Sequence, residues 1–305
     1  MNADPTIPAD ETTISPASEP PVLLCAGHVT LDRYGDRLLP GGSVTYAAGT
    51  WSRLGGTARV VTALGRDFPS GQLSPGVAVE AHCGPATTIF ENRYRPDGGR
   101  SQFLESLAAP VGTDLLPLAW HRPRVLFIAP VIGELDPAEW LAVARPEIAA
   151  LGVQGLVRQA KSGGRGTVSG RQLDCRADWL DAVDVAFLSE DDCLAQPDLP
   201  ERLRERIALV VLTRAGRGCS VYRRGESFRV GSHPACERDP TGAGDTFAAG
   251  FLYVLATGGD CRRAACLGAA CASIVIEGRA TEALARLGGE ARQRAGRISA
   301  QAQAD

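Results

Sequence analysis

The amino-acid sequence predicts a three-layer α/β/α sandwich with a mostly parallel central sheet. Short apolar runs begin at Val22, Val125, Val183 and Ala208, with Asp184 as an interruption in the third, and such runs are typical of strands buried on both faces. Helical segments alternate with these runs over roughly 270 residues, which implies right-handed crossovers between neighbouring strands. The chain has 305 residues, of which 44% are hydrophobic, enough for one large α/β domain or two small ones.

The composition excludes several classes of protein. A net charge of −3 offers no basic surface to nucleic acid or to an acidic membrane. No apolar run reaches the ~18 residues of a membrane span, and the N-terminus lacks the regions of a signal peptide. The nine cysteines show neither C-x-x-C pairs nor zinc spacing, so we expect reduced thiols that pack in the interior. These features predict a soluble, cytoplasmic protein without nucleic-acid or membrane partners.

The chain begins with a polar segment followed by the first candidate strand. Residues 1–20 are rich in Pro, Thr, Ser and acidic residues and are predicted to form a disordered leader. The apolar run Val22–Gly27 ends shortly before Asp32. Ligands of open α/β sheets bind beyond the carboxyl ends of the strands, so Asp32 is a candidate binding residue. A solvated loop carboxylate is the alternative interpretation of Asp32.

Two features lie between the first and second apolar runs. Gly41 and Gly42 precede a helical segment that runs to about Leu54, and such a pair allows close approach of a ligand to a helix start. Strand-like runs at about residues 85–107 flank a turn at residues 96–99, which predicts an antiparallel hairpin. A surface helix is predicted after the second run, over residues 139–150.

The third apolar run, Val183–Leu188, leads directly to Ser189 and Asp192. These residues either hold a ligand or form an acidic helix N-terminus, which the helix dipole favours without any ligand.

A glycine-rich turn with Gly216 and Gly218 follows the fourth run, Ala208–Thr213. It is no dinucleotide fingerprint, because no third glycine and no helix follow at the required spacing.

The most informative stretch is Asp239–Thr246, which opens an apolar helix over residues 247–256. Gly242 and Gly244 have no Cβ, so the backbone there can turn sharply and present its amides to an anion at a helix start. Asp245 lies in the first helical turn, where a carboxylate is well placed to take a proton from an attacking hydroxyl. A helix capped by a glycine-rich turn, with no further role, is the alternative.

Residues 239–245 resemble the second signature of the ribokinase-like (PfkB) carbohydrate kinases, Asp-Thr-x-Gly-Ala-Gly-Asp, from which only Pro240 departs. The earlier pattern around the Gly41–Gly42 pair and the later Arg-Leu-Gly-Gly resembles the first signature. The resemblance implies a ribokinase-like sandwich with a β lid. That lid is expected to be small and reduced, built from the strands at about residues 85–107, because the segment between Asp32 and Gly41 is short.

The resemblance also implies the chemistry and the contacts of the site. Asp245 would be the general base, and the amides of Gly242, Ala243 and Gly244 would hold the transferred phosphoryl group. The implied contacts are Asp32, Gly41, Gly42 and Tyr46 with the substrate, Thr213, Gly216, Gly218 and Thr241 with ATP, and Ser189, Asp192 and Asp239 with metal ions. The ions implied are Mg²⁺, held through water at Ser189 and Asp192, and a monovalent cation such as K⁺ near Asp239 and Thr241.

These features together predict an ATP-dependent kinase that phosphorylates a hydroxyl of a small sugar or polyol. Tyr46, where many relatives have Asn, and the short lid segment favour an inositol-like substrate. A nucleoside kinase and a catalytically impaired sugar-binding regulatory protein are the alternatives. The second is motivated by Ser189, Asp192 and Ala280, where the family usually has Asn, Glu and Gly. The predicted organisation is the leader, a kinase domain over residues 21–289 and a polar tail over residues 290–305. The sequence leaves open whether the protein forms a homodimer.

Overall fold

The computed structural model describes residues 19–69, 71, 73–94, 100–160, 165–298 and 300–302. Most of the predicted leader and the turn predicted at residues 96–99 lie outside the described residues. The strands are β1 (Val22–Ala26), β2 (Thr30–Tyr34), β3 (Arg37–Gly41), β4 (Thr57–Gly65), β5 (Ala78–Gly84), β6 (Thr88–Tyr94), β7 (Arg100–Ser106), β8 (Val125–Ile128), β9 (Ile148–Gly152), β10 (Arg158–Ala160), β11 (Gly166–Gly170), β12 (Val185–Ser189), β13 (Leu209–Thr213), β14 (Cys219–Arg223), β15 (Glu226–Val230) and β16 (Ala300–Ala302). The α-helices are α1 (Ser43–Leu54), α2 (Pro137–Ala144), α3 (Leu199–Arg204), α4 (Ala243–Ala256), α5 (Cys261–Val275) and α6 (Gly289–Ala295).

The central sheet confirms the predicted α/β architecture. Its order is β16-β15-β14-β13-β12-β9-β8-β1-β4-β5, and every pair from β13 to β5 is parallel. Only β14, β15 and β16 add antiparallel strands at one edge. The carboxyl ends of the parallel strands therefore meet along one edge of the sheet, where ligands of this architecture bind.

Helices cover both faces of this sheet, as the alternating side chains of β1 illustrate. Leu23 and Cys25 belong to a core that includes α1, α4 and α5, whereas Leu24 and Ala26 belong to a second core with α2 and α3. Four aromatic rings fill the first core with centroid separations of 5.5 to 6.4 Å, namely those of Phe127, Phe187, Phe247 and Phe251. Burial of strands on both faces explains why the sequence shows continuous apolar runs rather than alternation.

A second sheet forms the lid and is larger than predicted. The hairpin of β6 and β7 is present, but the sheet has six strands in the order β10-β11-β7-β6-β2-β3. The short, polar strands β10 and β11 lack the apolar signal that sequence analysis depends on. Asp32 lies on β2 and therefore belongs to the lid, not to a loop at the end of β1.

Two other segments differ from the sequence prediction. The helix predicted over residues 139–150 ends at Ala144, because Pro146 cannot continue it, and Ile148–Gly152 forms the buried strand β9. The polar tail predicted over residues 290–305 includes most of α6 and the short edge strand β16. Arg294 of α6 is 9% exposed and pairs with Glu277, so part of this tail packs on the fold. Each helix in the described part of the chain is too short or too polar to cross a membrane.

Candidate active site

Two cavities meet at the start of α4. The lid cavity, of about 130 Å³, lies between the lid and residues 240–245, and its polar lining includes Asp32, Ser43, Asn92, Gln102, Gln154 and Arg158. The helix cavity, of about 340 Å³, lies against α4 and α5. Pro240, Ala243 and Gly244 line both cavities, so the glycine-rich turn is their common wall.

The turn at residues 240–243 owes its shape to Gly242. The amide of Ala243 donates to the carbonyl of Pro240 at 3.2 Å, and Gly242 has φ 77° and ψ 1°. These angles are those of the third residue of a type II turn, which requires a positive φ and therefore glycine. The amide of Thr246 then donates to the carbonyl of Gly242 at 2.9 Å and begins the helix.

This hydrogen bond corrects the predicted anion hole. The amide of Ala243 closes the turn and is occupied, so it does not face a ligand as predicted. In the described part of the chain, no carbonyl accepts from the amides of Gly242 and Gly244. These two amides, at the positive end of the α4 dipole, are the ones that can hold an anion.

Tyr46 supports the turn from inside the fold. A Cβ on Gly242 would lie 2.3 to 2.4 Å from three atoms of the Tyr46 ring, so the ring packs directly against the turn. The side chain is 1% exposed, and its hydroxyl has no hydrogen-bond partner among the described residues. Tyr46, which the resemblance implies as a substrate contact, also lines the lid cavity. Gly244, by contrast, is exposed, and a Cβ there would meet no atom within 4 Å.

Asp245 has the electrostatics of a base that works near neutral pH. It lines the lid cavity in the first turn of α4. Burial raises the pKa of its carboxyl from 3.8 to about 6, against the hydrogen bond from the Ser43 hydroxyl and the positive charge of Arg158, both of which lower it. The negative charge of Asp192 adds to the upward shift. Asp245 is therefore mostly ionised at pH 7 yet basic enough to accept a proton.

The shifted pKa of Asp245 makes a prediction about stability. Because the pKa is higher in the folded protein, ionisation of the carboxyl costs stability, and this loss develops as pH rises from about 3.8 through about 6. Asp245→Asn does not titrate, so we expect it to be more stable than the wild type by about 1–3 kcal/mol near pH 7.5. Urea unfolding of both proteins near pH 7.5 and near pH 4 tests this. A stability difference that is the same at both pH values would contradict it.

Asp239 anchors three segments of the chain. One carboxylate oxygen accepts from the Thr241 amide at 3.0 Å, and the other accepts from the Ala280 amide at 2.9 Å and the Tyr34 hydroxyl at 2.5 Å. Burial alone would raise the pKa of Asp239, but these donors outweigh it and lower the pKa. A cation would have to compete with three donors, so we do not assign the predicted K⁺ to Asp239.

The predicted magnesium residues have different roles. One oxygen of Asp192 accepts from the amide and the hydroxyl of Ser189, at 2.8 and 2.7 Å, so Ser189 orients Asp192. The other oxygen is buried, accepts no hydrogen bond from the described residues, and lies 3.7 Å from Nη2 of Arg158. A buried carboxylate oxygen without a donor fits a water-mediated Mg²⁺ contact, since Mg²⁺ keeps several of its waters. No group of three His, Cys, Asp or Glu side chains in the described residues could hold a metal directly.

Most of the other predicted residues lie at one of the two cavities. Thr213, Gly216 and Gly218 line the helix cavity beyond the end of β13, and Asp32 and Gly42 line the lid cavity. Two assignments change. Thr241, predicted to contact ATP, lines the lid cavity. Gly41, predicted to contact substrate, lies behind Asp32, where a Cβ would come 2.1 Å from the Asp32 carboxylate.

Sequence analysis missed several polar residues of the lid cavity. Arg158 of β10 donates to Oε1 of Gln102 in β7 at 3.2 Å, and Nε2 of Gln102 donates to Oδ1 of Asn92 in β6 at 3.2 Å. This chain of side chains crosses the inner face of the lid. No motif marks these residues; the only signal was a set of polar side chains on strand-like segments next to the apolar runs.

Comparison with known proteins gives consistent results. The sequence model of the pfkB family carbohydrate kinases matches residues 168–286. An inositol 3-kinase of Oryza sativa subsp. japonica is 29% identical over 255 residues, which cover 81% of this chain but only 63% of that protein. A cytidine kinase of Thermococcus kodakarensis is 28% identical over 75% of this chain and 87% of that protein.

Solved structures agree on the fold. A pyrophosphate-dependent kinase in the ribokinase family, complexed with a pyrophosphate analog and myo-inositol, superposes with a TM-score of 0.72. It is 24% identical, and the superposition covers 85% of this chain and 96% of that one. The fold is therefore that of the ribokinase-family structures, and residues 168–286, which include the Gly-Ala-Gly-Asp turn, are similar to the pfkB family carbohydrate kinases.

Proposed function

We propose that the protein transfers the terminal phosphoryl group of ATP to a hydroxyl of a small sugar or polyol, with an inositol-like ring as the favoured substrate. One observation carries this proposal: two cavities share the wall formed by Pro240, Ala243 and Gly244, and Asp245 faces the lid cavity. A phosphoryl donor in one cavity and an alcohol in the other would meet at the amides of Gly242 and Gly244.

The residues support in-line transfer from the donor to the alcohol. The carboxylate of Asp245 takes the proton of the attacking hydroxyl, and its pKa of about 6 keeps it ionised at neutral pH. The Gly242 and Gly244 amides hold the charge on the transferred oxygens. Asp192, oriented by Ser189, would hold Mg²⁺ through water, and that ion supplies positive charge to the donor phosphates.

The lid cavity supports a small, hydroxyl-rich acceptor. Its lining offers carboxylate, hydroxyl, amide and guanidinium groups, which are the partners that several hydroxyls of one ring require. A volume of about 130 Å³ is small beside the ~300–1,000 Å³ of sites for drug-sized ligands, which favours a single ring over a nucleoside. The inositol 3-kinase relative agrees with this preference, whereas the cytidine kinase relative keeps a nucleoside as the second candidate.

The helix cavity supports a nucleotide as the donor. Apolar groups of Pro234, Phe247 and Ile276 line it, together with the small residues Ala269 and Ala272 of α5. An apolar slot of about 340 Å³ suits a purine ring, and pyrophosphate has no group that would use it. We therefore propose ATP as the donor, although a fold neighbour is a pyrophosphate-dependent kinase.

A phosphorylation screen tests the proposal. Purified protein with Mg²⁺ is assayed for phosphate transfer from ATP, and separately from pyrophosphate, to inositols, ketoses, ribose, sugar acids and nucleosides. Transfer from ATP to a polyol is the expected result. Transfer to nucleosides alone would replace the proposed substrate class. Tight sugar binding without transfer from either donor would favour the non-catalytic alternative.

A further inference from the structure

Arg158 brings a positive charge to the place where the two cavities meet. It is the first residue of β10, and its side chain is 16% exposed and lines the lid cavity together with Gly244 and Asp245. Its positive charge opposes the rise that burial causes in the pKa of the Asp245 carboxyl. The guanidinium therefore lies beside the base and on the lid side of the anion hole.

Two of the contacts of Arg158 show the direction of its side chain. Nη1 donates to Oε1 of Gln102 at 3.2 Å, and Nη2 lies 3.7 Å from the buried Oδ1 of Asp192. A separation of 3.7 Å is an ion pair without a hydrogen bond. Gln102 thus holds one edge of the guanidinium while the other edge faces the gap between Asp192 and Asp245. That gap is next to the amides of Gly242 and Gly244, where the proposed function places the transferred group.

Few other cations reach this place. Arg158 is the one arginine among the described residues that line the two cavities, and the chain's single lysine, Lys161, lies outside the described residues. The transferred group carries charge on three oxygens, and the turn offers only the Gly242 and Gly244 amides once Ala243 is used to close it. A planar guanidinium donates through fixed, parallel N–H groups, which suit two oxygens of one phosphoryl group.

We propose that Arg158 donates hydrogen bonds from the lid to the oxygens of the transferred phosphoryl group, opposite the amides of Gly242 and Gly244. In this step the bond from phosphorus to the bridging oxygen of ATP breaks and its electron pair leaves with ADP. A new bond forms between phosphorus and the acceptor oxygen, whose proton goes to Asp245. Arg158 neither gains nor loses a proton. It exchanges its long contact with Asp192 for contacts with the phosphoryl oxygens. This inference rests on the proposed kinase function.

The test is the variant Arg158→Ala with chemical rescue by guanidinium. We expect the turnover of Arg158→Ala to fall on the order of 10²-fold, with the acceptor KM changed less than about threefold. Guanidinium ions at low, non-denaturing concentration should raise the turnover of Arg158→Ala about tenfold, because the ion can occupy the space that the side chain leaves. Sodium at the same ionic strength should not. Arg262→Ala is the matched control, since Arg262 is an exposed arginine paired with Glu226 far from both cavities.

A second measurement does not need turnover. Binding of ADP with aluminium fluoride, which mimics the transferred group, should weaken on the order of 10-fold in Arg158→Ala, while binding of ADP alone should not change. Three results would overturn the role. They are wild-type turnover in Arg158→Ala, binding of ADP alone that weakens as much as binding of ADP with aluminium fluoride, or an effect confined to a higher KM for the acceptor. The last result would make Arg158 an acceptor-binding residue. Absence of turnover in the wild type would instead count against the kinase function, and the inference would fail with it.

Discussion

Asp245→Asn is expected to fold normally and to lose on the order of 10²–10⁴ in turnover. Asparagine keeps the size of the side chain but cannot accept the proton of the attacking hydroxyl. The pKa of about 6 adds a second expectation for the wild type, because protonation of Asp245 removes the base. Its kcat/KM should decline as pH falls through about 6, and this acid limb should be absent from the residual activity of the variant. Steady-state assays of both proteins across pH measure these effects.

Asp260→Asn is the matched control for this substitution. Asp260 is the N-cap of α5, whereas Asp245 lies in the first turn of α4, and the Asp260 carboxylate accepts from the Arg263 amide at 2.9 Å. Loss of that capping carboxylate should lower stability slightly and leave turnover unchanged. If Asp245→Asn retained near wild-type turnover, Asp245 would not be the base. If both variants lost turnover equally, the loss would reflect a change at helix starts in general.

Gly242→Ala is expected to have the largest effect on stability. Alanine at φ 77° costs about 1–2 kcal/mol for the left-handed conformation alone. Its Cβ would also come 2.3 to 2.4 Å from ring atoms of Tyr46, whose side chain is buried. The turn must shift to relieve the contact, and the amides of Gly242 and Gly244 then move from the anion. We expect a loss of about 3 kcal/mol or more in the free energy of unfolding, and loss of turnover below the detection limit.

Gly244→Ala separates packing from function. A Cβ at Gly244 meets no atom within 4 Å, and Gly244 has an ordinary helical place in α4. This variant should be as stable as the wild type, but its methyl group enters the junction of the two cavities and should raise the KM for ATP. Chemical denaturation and kinetics of the two variants provide the measurement. A Gly242→Ala protein as stable as Gly244→Ala would show that the turn tolerates a side chain there.

The sequence was sufficient for the parts of the site that are local in the chain. Gly242, Gly244 and Asp245 lie within four positions, and their chemistry follows from backbone freedom and a helix start. The parallel sheet was predictable too, because burial on both faces makes its strands continuously apolar. Hydrogen bonds between residues that are distant in the sequence, however, cannot be predicted from a local pattern.

The lid shows why the remaining residues could not be predicted. Asn92, Gln102 and Arg158 are up to 66 positions apart in the sequence. They come together only because β10, β11, β7 and β6 pair in one sheet. A short strand such as β10 carries too few residues for a periodic pattern. The occupied amide of Ala243 was equally hidden, since a glycine-rich turn shows its shape but not which amide closes it.

The three-way anchor at Asp239 has a consequence for biosynthesis. Tyr34 and Ala280 are separated by 205 and 41 positions from the carboxylate that joins them. A ribosome releases the chain from its N-terminus, so the first signature is made long before its partner exists. The nascent chain cannot complete the anchor at Asp239 until residue 280, shortly before α6, has emerged. Premature termination before residue 280 should therefore yield a fragment in which the anchor at Asp239 is incomplete.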